Sequence, residues 1–239
     1  MTGLSASCCF VTDKRRKNEE LCRYPRRRRG QKNEIRQTEN IVGGARQTVL
    51  CWVMSALRKA GIDDICVVKG FKKECVEEYL STLDFSVESV FQAERLGTGH
   101  AVMMAKDFLK KHSGNVVILN GDAPFMDSKT IEDSLKAHIE NGCAATVISA
   151  KVDDPTGYGR IVRDENGNLR AIVEQKDADE ETLKINEVNS GGFWFDCQLL
   201  LSVLDRIKRI TAQRNIIFPT QSSFCLRTEE RSEHYGSVQ

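Results

Sequence analysis

One candidate for chemistry follows directly on an apolar run. The stretch "NVVILNGDAP" (residues 115–124) carries Asn120, Gly121 and Asp122 at the end of a predicted strand. In α/β sheets, ligands bind beyond the carboxyl ends of the strands. Gly121 lets a ligand approach the backbone closely, and the Asp122 carboxylate can hold a hard cation such as Mg²⁺ beside phosphates. The alternative interpretation is that Asp122 only caps the following turn.

A second candidate is the stretch "QAERLGTGHA" (residues 92–101), a Gly-Thr-Gly loop between a predicted strand and a predicted helix. Such a loop offers backbone N–H donors and the positive end of a helix to a base or a phosphate. An ordinary tight turn explains a single Gly-x-Gly equally well. His100 is expected to lie near the N-terminus of the following helix and not to act as a general base in catalysis.

The elements that position these stretches alternate between strand and helix. The predicted strands are "DDICVVKG", "FSVESVFQ", "NVVILNGDAP", "CAATVISAKV" and "GGFWFD"; the predicted helices are "CWVMSALRKAG", "KKECVEEYLSTL", "GHAVMMAKDFLKKH", "DSKTIEDSLKAHIENG" and "CQLLLSVLDRIKR". Alternation at these lengths predicts parallel strands joined by crossover helices, which is an α/β fold. After Lys151 the pattern changes: two alternating runs flank Asn166-Gly167, a strong hairpin signal.

Local signals set the ends of two helices. Val53, Leu57 and Ala60 form one apolar stripe, which Gly61 ends. Asp127 or Ser128 is expected to open the helix that Asn141 and Gly142 close. Among the remaining residues, Trp194 is expected in the core, and His112 and His138 on exposed helix faces.

Charge is unevenly distributed along the 239 residues, although the formal net charge is only +1. Residues 1–50 carry 12 Lys/Arg and 5 Asp/Glu, whereas residues 51–239 carry 23 and 29. A basic arm on an acidic body raises the hypothesis of nucleic-acid binding through Arg26–Arg29 and Lys32. Against it, Tyr24 is the one aromatic residue near this run, and no known reading motif follows.

The cysteine spacing and the hydropathy pattern indicate in which cellular compartment the protein is expected. Nine cysteines are scattered without a C-x-x-C pair, which favours a reducing cytoplasm over a disulfide framework or a zinc site. No apolar run approaches the roughly 20 residues that span a bilayer. We therefore expect no membrane partner and no secretion signal, in a cytoplasmic protein.

Taken together, four stretches resemble a known family. "QAERLGTGHA", "LNGDAP", "PTGYGRIVRDENGNLRAIVEQKDA" and "INEVNSGGFWFD", in this order and spacing, are similar to the bacterial N-acetylglucosamine-1-phosphate uridyltransferases, over about residues 51–214. The resemblance implies a Rossmann-like nucleotidyltransferase fold: a mostly parallel central sheet with flanking helices and a sugar-side β-hairpin region. It also implies Mg²⁺, the substrates UTP and N-acetylglucosamine-1-phosphate, and a precursor of peptidoglycan as product. Another sugar or base within the same superfamily is the alternative.

The resemblance also implies residue roles. Gln92, Gly97 and Thr98 would read the uracil edge, Asn120 and Gly121 would lie along the nucleotide, and Asp122 would be the catalytic residue and metal ligand. Gly159, Glu174 and Asn189 would contact the sugar. Taken singly, these last three would be a hairpin glycine, an exposed strand carboxylate and a turn asparagine. Ser190 stands where a threonine is expected and keeps its hydroxyl.

Both ends of the chain depart from the family pattern. A glycine-rich signature, L-A-A-G-x-G-T-R-M followed by Pro-Lys, is expected near the N-terminus, but residues 1–50 form a basic segment instead; residues 215–239 also depart. Without the signature we expect a marginally folded chain with little or no turnover. The acetyltransferase half of the bifunctional enzymes is not recognisable, so we expect a monomer without acetyl transfer.

A shift of reading frame would account for both departures. Read one nucleotide out of register, "CRYPRRRRGQKNEIRQTENIVGGARQT" can encode "AVILAAGEGKRMKSDKPKILSEVLGKP", which is the missing signature. The tail "NIIFPTQSSFCLRTEERSE", in the other register, can encode "YYLPDAVELLLEDGRKVGT". The basic N-terminal segment would then be a product of translation in the wrong frame.

Resequencing the DNA around codons 20–50 and 210–239 tests this hypothesis. We expect single-nucleotide disruptions near both ends of the nucleotidyltransferase region. A continuous reading frame that encodes the printed termini, together with an intact mass of the native protein that matches them, would refute it.

Overall fold

The computed structural model describes residues 45–70, 73–94, 96–121, 126–207 and 226–230; for residues 45–49, 205–207 and 226–230 it describes the backbone alone. The helices are α1 (Ala45–Lys59), α2 (Lys73–Ser81), α3 (Thr98–Met104), α4 (Lys106–Leu109), α5 (Ser128–Glu140), α6 (Glu180–Leu183) and α7 (Cys197–Ile207), with a 3₁₀ turn at Gln175–Asp177. The strands are β1 (Cys66–Lys69), β2 (Glu88–Phe91), β3 (Asn115–Leu119), β4 (Ala145–Lys151), β5 (Arg160–Arg163), β6 (Leu169–Val173), β7 (Glu187–Asp196) and β8 (Leu226–Glu230).

The strands form two sheets. Strands β1 and β2 pair in parallel as a two-stranded sheet. The larger sheet has six strands in the order β6-β5-β7-β4-β8, and β3 pairs with β7 off this path. Because β7 is antiparallel to both β3 and β4, while β8 is parallel to β4, strands β3, β4 and β8 share one direction and β7 opposes it. The predicted α/β fold is confirmed. In the larger sheet two strands run against β3, β4 and β8: β7, which is inserted between β3 and β4, and β6, which is antiparallel to β5.

Apolar residues on both faces of the strands form the core, since parallel strands covered by helices are buried on both sides. On one face a cluster joins Cys66 and Val68 of β1 with Val116 and Ile118 of β3, and with residues of α3, α4 and α7. On the other face a second cluster joins Val67, Val117 and Leu119 with residues of α1 and α5. The two sheets therefore share a core on both of their faces.

The predicted helix ends are confirmed. Val53 and Leu57 of α1 are fully buried, and Gly61 has a φ of 73° just beyond the helix. Helix α5 begins after Asp127, whose Oδ1 accepts a hydrogen bond from the backbone N–H of Thr130 at 2.7 Å. The hairpin prediction is confirmed as well, because β5 and β6 pair antiparallel around Gly167, which has a φ of 79°.

One predicted helix is two helices. The stretch "GHAVMMAKDFLKKH" is divided between α3 and α4 at Ala105, where φ is −84° and ψ is 6°. Ala105 is buried at this bend, with 1 % of its surface exposed. Both segments therefore direct apolar residues into one core cluster, which includes Ala101 and Leu109.

The prediction for the two histidines is wrong. His138 is 2 % exposed, and its Nδ1 lies 2.8 Å from Thr146 Oγ1 on β4. The side chain of His112 is 14 % exposed, with Nδ1 2.8 Å from the carbonyl oxygen of Phe108. Helix periodicity did not reveal these polar partners, which lie across the fold or one turn away. The prediction for Trp194 is confirmed: it is fully buried, and its indole N–H donates to Ser134 Oγ at 2.9 Å.

The predicted division of the chain into a basic segment (residues 1–50), a nucleotidyltransferase core (51–214) and a departing tail (215–239) stays a prediction. Helix α1 begins at Ala45, and β8 lies within residues 215–239, paired with β4. Within the described ranges, no helix is long and apolar enough to cross a membrane. Of the free cysteines in those ranges, Cys66, Cys143 and Cys197 are buried, and Cys51 and Cys75 are exposed.

The buried imidazole of His138 predicts a pH dependence of stability. Burial lowers the pKa of His138 from 6.5 to about 4, and the negative charge of Asp196 offsets this only in part. Since the unfolded chain then binds the proton more tightly, stability is lost as the pH falls from about 6.5 toward 4, by on the order of 3 kcal/mol.

The test compares urea unfolding of the wild type with that of His138→Asn between pH 4 and pH 7. The variant should be less stable at pH 7 and should lose less stability over this window. Curves that remain parallel for the two proteins would contradict the assignment.

Candidate functional site

The site residues at the carboxyl end of β3 are held by β7. The backbone N–H of Asn120 donates to the carbonyl oxygen of Gly191 at 3.2 Å. Gly191 has a φ of 79°, and a Cβ built on it would overlap Nδ2 of Asn120. Asn120 and Gly191 therefore pack closely because the second has no side chain. Gly121 is described and buried, whereas Asp122 lies outside the described residues.

A two-residue bulge in β7 creates this approach. The register between β4 and β7 runs from Ile148 opposite Gly192 to Ser149 opposite Asn189, so Ser190 and Gly191 have no partner of their own in that ladder. Ser190 Oγ donates to the carbonyl oxygen of Ile148 at 2.6 Å, and the backbone N–H of Gly191 donates to Asn189 Oδ1 at 3.0 Å. Bulges beside active sites redirect side chains in this way.

The three predicted sugar-side residues lie together. The backbone N–H of Asn189 donates to the carbonyl oxygen of Gly159 at 2.8 Å. A Cβ built on Gly159 would stand 3.4 Å from Glu174 Oε1 and 3.3 Å from Ile172 Cγ2. The half-buried residues Glu174 and Asn189 thus both lie next to the bare backbone of Gly159, where β5, β6 and β7 meet.

An ion pair between the half-buried Arg163 and the buried Glu187 lies beside these residues. Arg163 Nε and Nη2 donate to the two oxygens of Glu187 at 2.8 and 2.6 Å, and Ser149 Oγ donates to Oε1 at 2.6 Å. Burial opposes ionisation of Glu187, but the hydrogen bonds and the charge of Arg163 hold the pKa of its carboxyl below the ordinary value. A bidentate pair of this kind fixes β4, β5 and β7 relative to one another, two residues before Asn189.

The other predicted nucleotide contacts form a second group, beyond β2. Gln92 is 6 % exposed, and its Nε2 lies 3.3 Å from the carbonyl oxygen of Gly97 and 2.9 Å from His100 Nδ1. Gly97 precedes α3 with a φ of 96°, and Thr98 begins the helix at the surface. This group and Asn120 follow strands of different sheets, β2 and β3 respectively.

Sequence reasoning missed His100, Gly191 and the Glu187 network. The pair "GG" after an asparagine in "VNSGG" is a signal for Gly191. Ser149, Arg163 and Glu187 are far apart in the sequence, and only the strand register brings them together. In the described part of the chain, no group of three or more His, Cys, Asp or Glu residues could hold a metal ion.

The close contact at Gly191 predicts a graded loss of stability. In Gly191→Ala, the methyl group adds an overlap with Asn120 to the strain of a positive φ. Gly167 is a matched control, because its φ is also 79° and nothing lies within 4 Å of its Cβ position.

In urea unfolding we expect Gly167→Ala to lose about 1–2 kcal/mol, and Gly191→Ala to lose at least about 1 kcal/mol more. Equal losses in the two variants would show that the Asn120 contact does not constrain β7.

The sequence is similar to a known family and to curated proteins. The sequence model of the family described as "Nucleotidyl transferase" matches residues 37–235. Bifunctional protein GlmU of Clostridium beijerinckii is 50 % identical over 161 residues, which are 67 % of this chain and 35 % of that protein. GlmU of Clostridium tetani is 45 % identical over the same length. The chain thus spans 35 % of the length of these curated relatives.

A solved structure supports the same fold. A protein of Bacillus anthracis assigned as a glucose-1-phosphate thymidylyltransferase, in complex with a sucrose, superposes with a TM-score of 0.63 at 20 % identity. The match covers 77 % of this chain and 74 % of that one. Because the family model spans residues 37–235, the chain belongs to the nucleotidyl transferase family.

Proposed function

We propose that this chain derives from an N-acetylglucosamine-1-phosphate uridyltransferase, which forms UDP-N-acetylglucosamine and pyrophosphate. In this reaction an oxygen of the sugar phosphate attacks the α-phosphorus of UTP, and the bond from that phosphorus to the bridging oxygen of the β-phosphate breaks. The observation that carries the proposal is the joined arrangement of Asn120, Asn189, Gly159 and Glu174 around the β7 bulge. The 50 % identity to a GlmU protein supports it.

The residues of such a site mainly align the substrates, because phosphoryl-type transfer needs positioning and charge stabilisation more than a side-chain nucleophile. Gln92 and Gly97 would bind the base, and Asn120 and Gly121 would lie along the nucleotide. Glu174 and Asn189 would bind sugar hydroxyl groups, beside the backbone of Gly159. The role of Thr98, at the surface where α3 begins, would be a further contact to the base.

The proposed cofactor is Mg²⁺, with Asp122 as protein ligand. Mg²⁺ keeps several waters and is usually held by one or two carboxylates together with substrate phosphates. A site of this kind does not require a cluster of three protein ligands, and Asp122 directly follows Gly121 at the end of β3. The bound ion would neutralise charge on the phosphates.

Two other functions are separable by experiment. A sugar-1-phosphate nucleotidyltransferase for another base would bind another nucleotide more tightly than UTP, and one for another sugar would bind that sugar-1-phosphate more tightly than N-acetylglucosamine-1-phosphate. Nucleic-acid binding through Arg26–Arg29 and Lys32, which lie outside the described residues, would give retention on heparin that falls steeply with salt. We further propose a monomer in the cytoplasm; the free thiols of Cys51 and Cys75, which are exposed, suit a reducing compartment.

Binding rather than turnover is the suitable test, because the departure of residues 1–50 from the family signature predicts weak activity. Thermal unfolding of the full chain is measured with UTP, with Mg²⁺, and with both. At tenfold excess over the dissociation constant, a ligand adds about 1.4 kcal/mol, or roughly 3–5 °C for a chain of this size. We expect this shift only with UTP and Mg²⁺ together.

Asp122→Asn should abolish the dependence on Mg²⁺. Asp84→Asn is the matched control, since Asp84 is an exposed aspartate before the amino end of β2, away from the strand ends of the site. A wild-type chain that UTP does not stabilise at any Mg²⁺ concentration would refute the proposal, and an Asp122→Asn variant that still requires Mg²⁺ would refute the assigned ligand.

A further inference from the structure

The Gln92 side chain has both of its amide hydrogens committed inside the protein. It follows β2, where its backbone N–H donates to the carbonyl oxygen of Lys69 at 2.7 Å. Its Nε2 lies within hydrogen-bond distance of two partners, the carbonyl oxygen of Gly97 at 3.3 Å and His100 Nδ1 at 2.9 Å. The side chain is thus held at its amide nitrogen from two directions.

These partners determine which end of the amide faces which way. A backbone carbonyl can only accept a hydrogen bond, so the atom beside Gly97 must be the nitrogen. Because that nitrogen can only donate, His100 accepts at Nδ1 and carries its proton on Nε2. Rotating the amide by 180° would place its oxygen against the carbonyl oxygen of Gly97, which cannot donate whichever tautomer His100 adopts. The Oε1 atom of Gln92 is thereby fixed as an acceptor, and the described residues donate no hydrogen bond to it.

We infer that His100 is a positioning residue that sets base specificity through Gln92. This inference rests on the proposed function, in which Gln92 meets the edge of the base. A fixed acceptor suits a pyrimidine whose N3 carries a hydrogen, as in uracil. It opposes cytosine, whose N3 is itself an acceptor, since two lone pairs would then face each other. A free amide could turn and donate to cytosine, and His100 and Gly97 together prevent that turn.

A substitution can remove only one of the two acceptors that hold the Gln92 amide. The Gly97 carbonyl belongs to the backbone and stays in every variant. The His100 ring can be removed without altering the loop glycines, and Asn carries a side-chain oxygen at the same number of bonds from Cβ as Nδ1 of histidine. His100→Phe therefore removes the acceptor while it keeps an aromatic ring, and His100→Asn can restore the acceptor.

The experiment measures the dissociation constants of UTP and CTP by calorimetry with the full chain and MgCl₂. In His100→Phe we expect the preference for UTP over CTP to fall about tenfold, the effect of one hydrogen bond, mainly because CTP binds more tightly. In His100→Asn the preference should return to within about threefold of the wild type. His112→Phe is the control for replacing a histidine by phenylalanine elsewhere in the chain. The ring of His112 lies against the carbonyl oxygen of Phe108 rather than against Gln92.

The outcomes separate this inference from the proposed function. A wild-type chain that binds neither nucleotide overturns both. A wild-type chain that prefers UTP, with His100→Phe weakening both nucleotides by the same factor, overturns the inference alone and leaves a structural role for His100. Nitrogen NMR of the wild type provides an arm that does not depend on folding of the variants: a proton on His100 Nδ1 would overturn the inference, and a proton on Nε2 would support it.

Discussion

The fold depends on one strand, β7, that runs against the direction of its two long neighbours. It lies between β3 and β4 and contributes Trp194 and Phe195 to the two core clusters, so both layers of helices pack on it. The bulge at Ser190 and Gly191 is the point at which β7 changes its register with β4. The same residues receive the backbone of Asn120 and orient Asn189. A packing requirement of the sheet and the geometry of the candidate site therefore have one origin.

The candidate site is built mainly from neutral hydrogen-bonding groups on a rigid support. Glu187, the most buried carboxylate near it, is fully engaged by Arg163 and Ser149, and so it acts as a structural anion rather than as a proton acceptor. This arrangement agrees with a chemistry in which alignment of two phosphates matters more than acid–base catalysis. Removing Arg163 would leave the buried charge of Glu187 without its partner, and the effect would reach β4, β5 and β7 together.

Features with local causes could be predicted from the sequence. The Asp127 cap, the end of α1 before Gly61 and the hairpin around Gly167 each depend on a few consecutive residues. The placement of Asn189, Gly159 and Glu174 together was implied by family resemblance, not by spacing. What could not be predicted depends on contacts between distant segments: the reversed direction of β7, its bulge, and the burial of His138 against Thr146. The Gln92–His100 contact belongs to the same group, because it requires the conformation of the loop.

The division into two sheets implies unequal protection of the backbone. Strand β7 exchanges ladder bonds with three other strands, whereas β1 and β2 share four register pairs. Amide hydrogens of β1 and β2 should thus exchange with solvent through smaller opening events than those of β7. Gln92 directly follows β2. In the proposed function, a nucleotide bound at Gln92 would therefore slow amide exchange more in β1 and β2 than in β7.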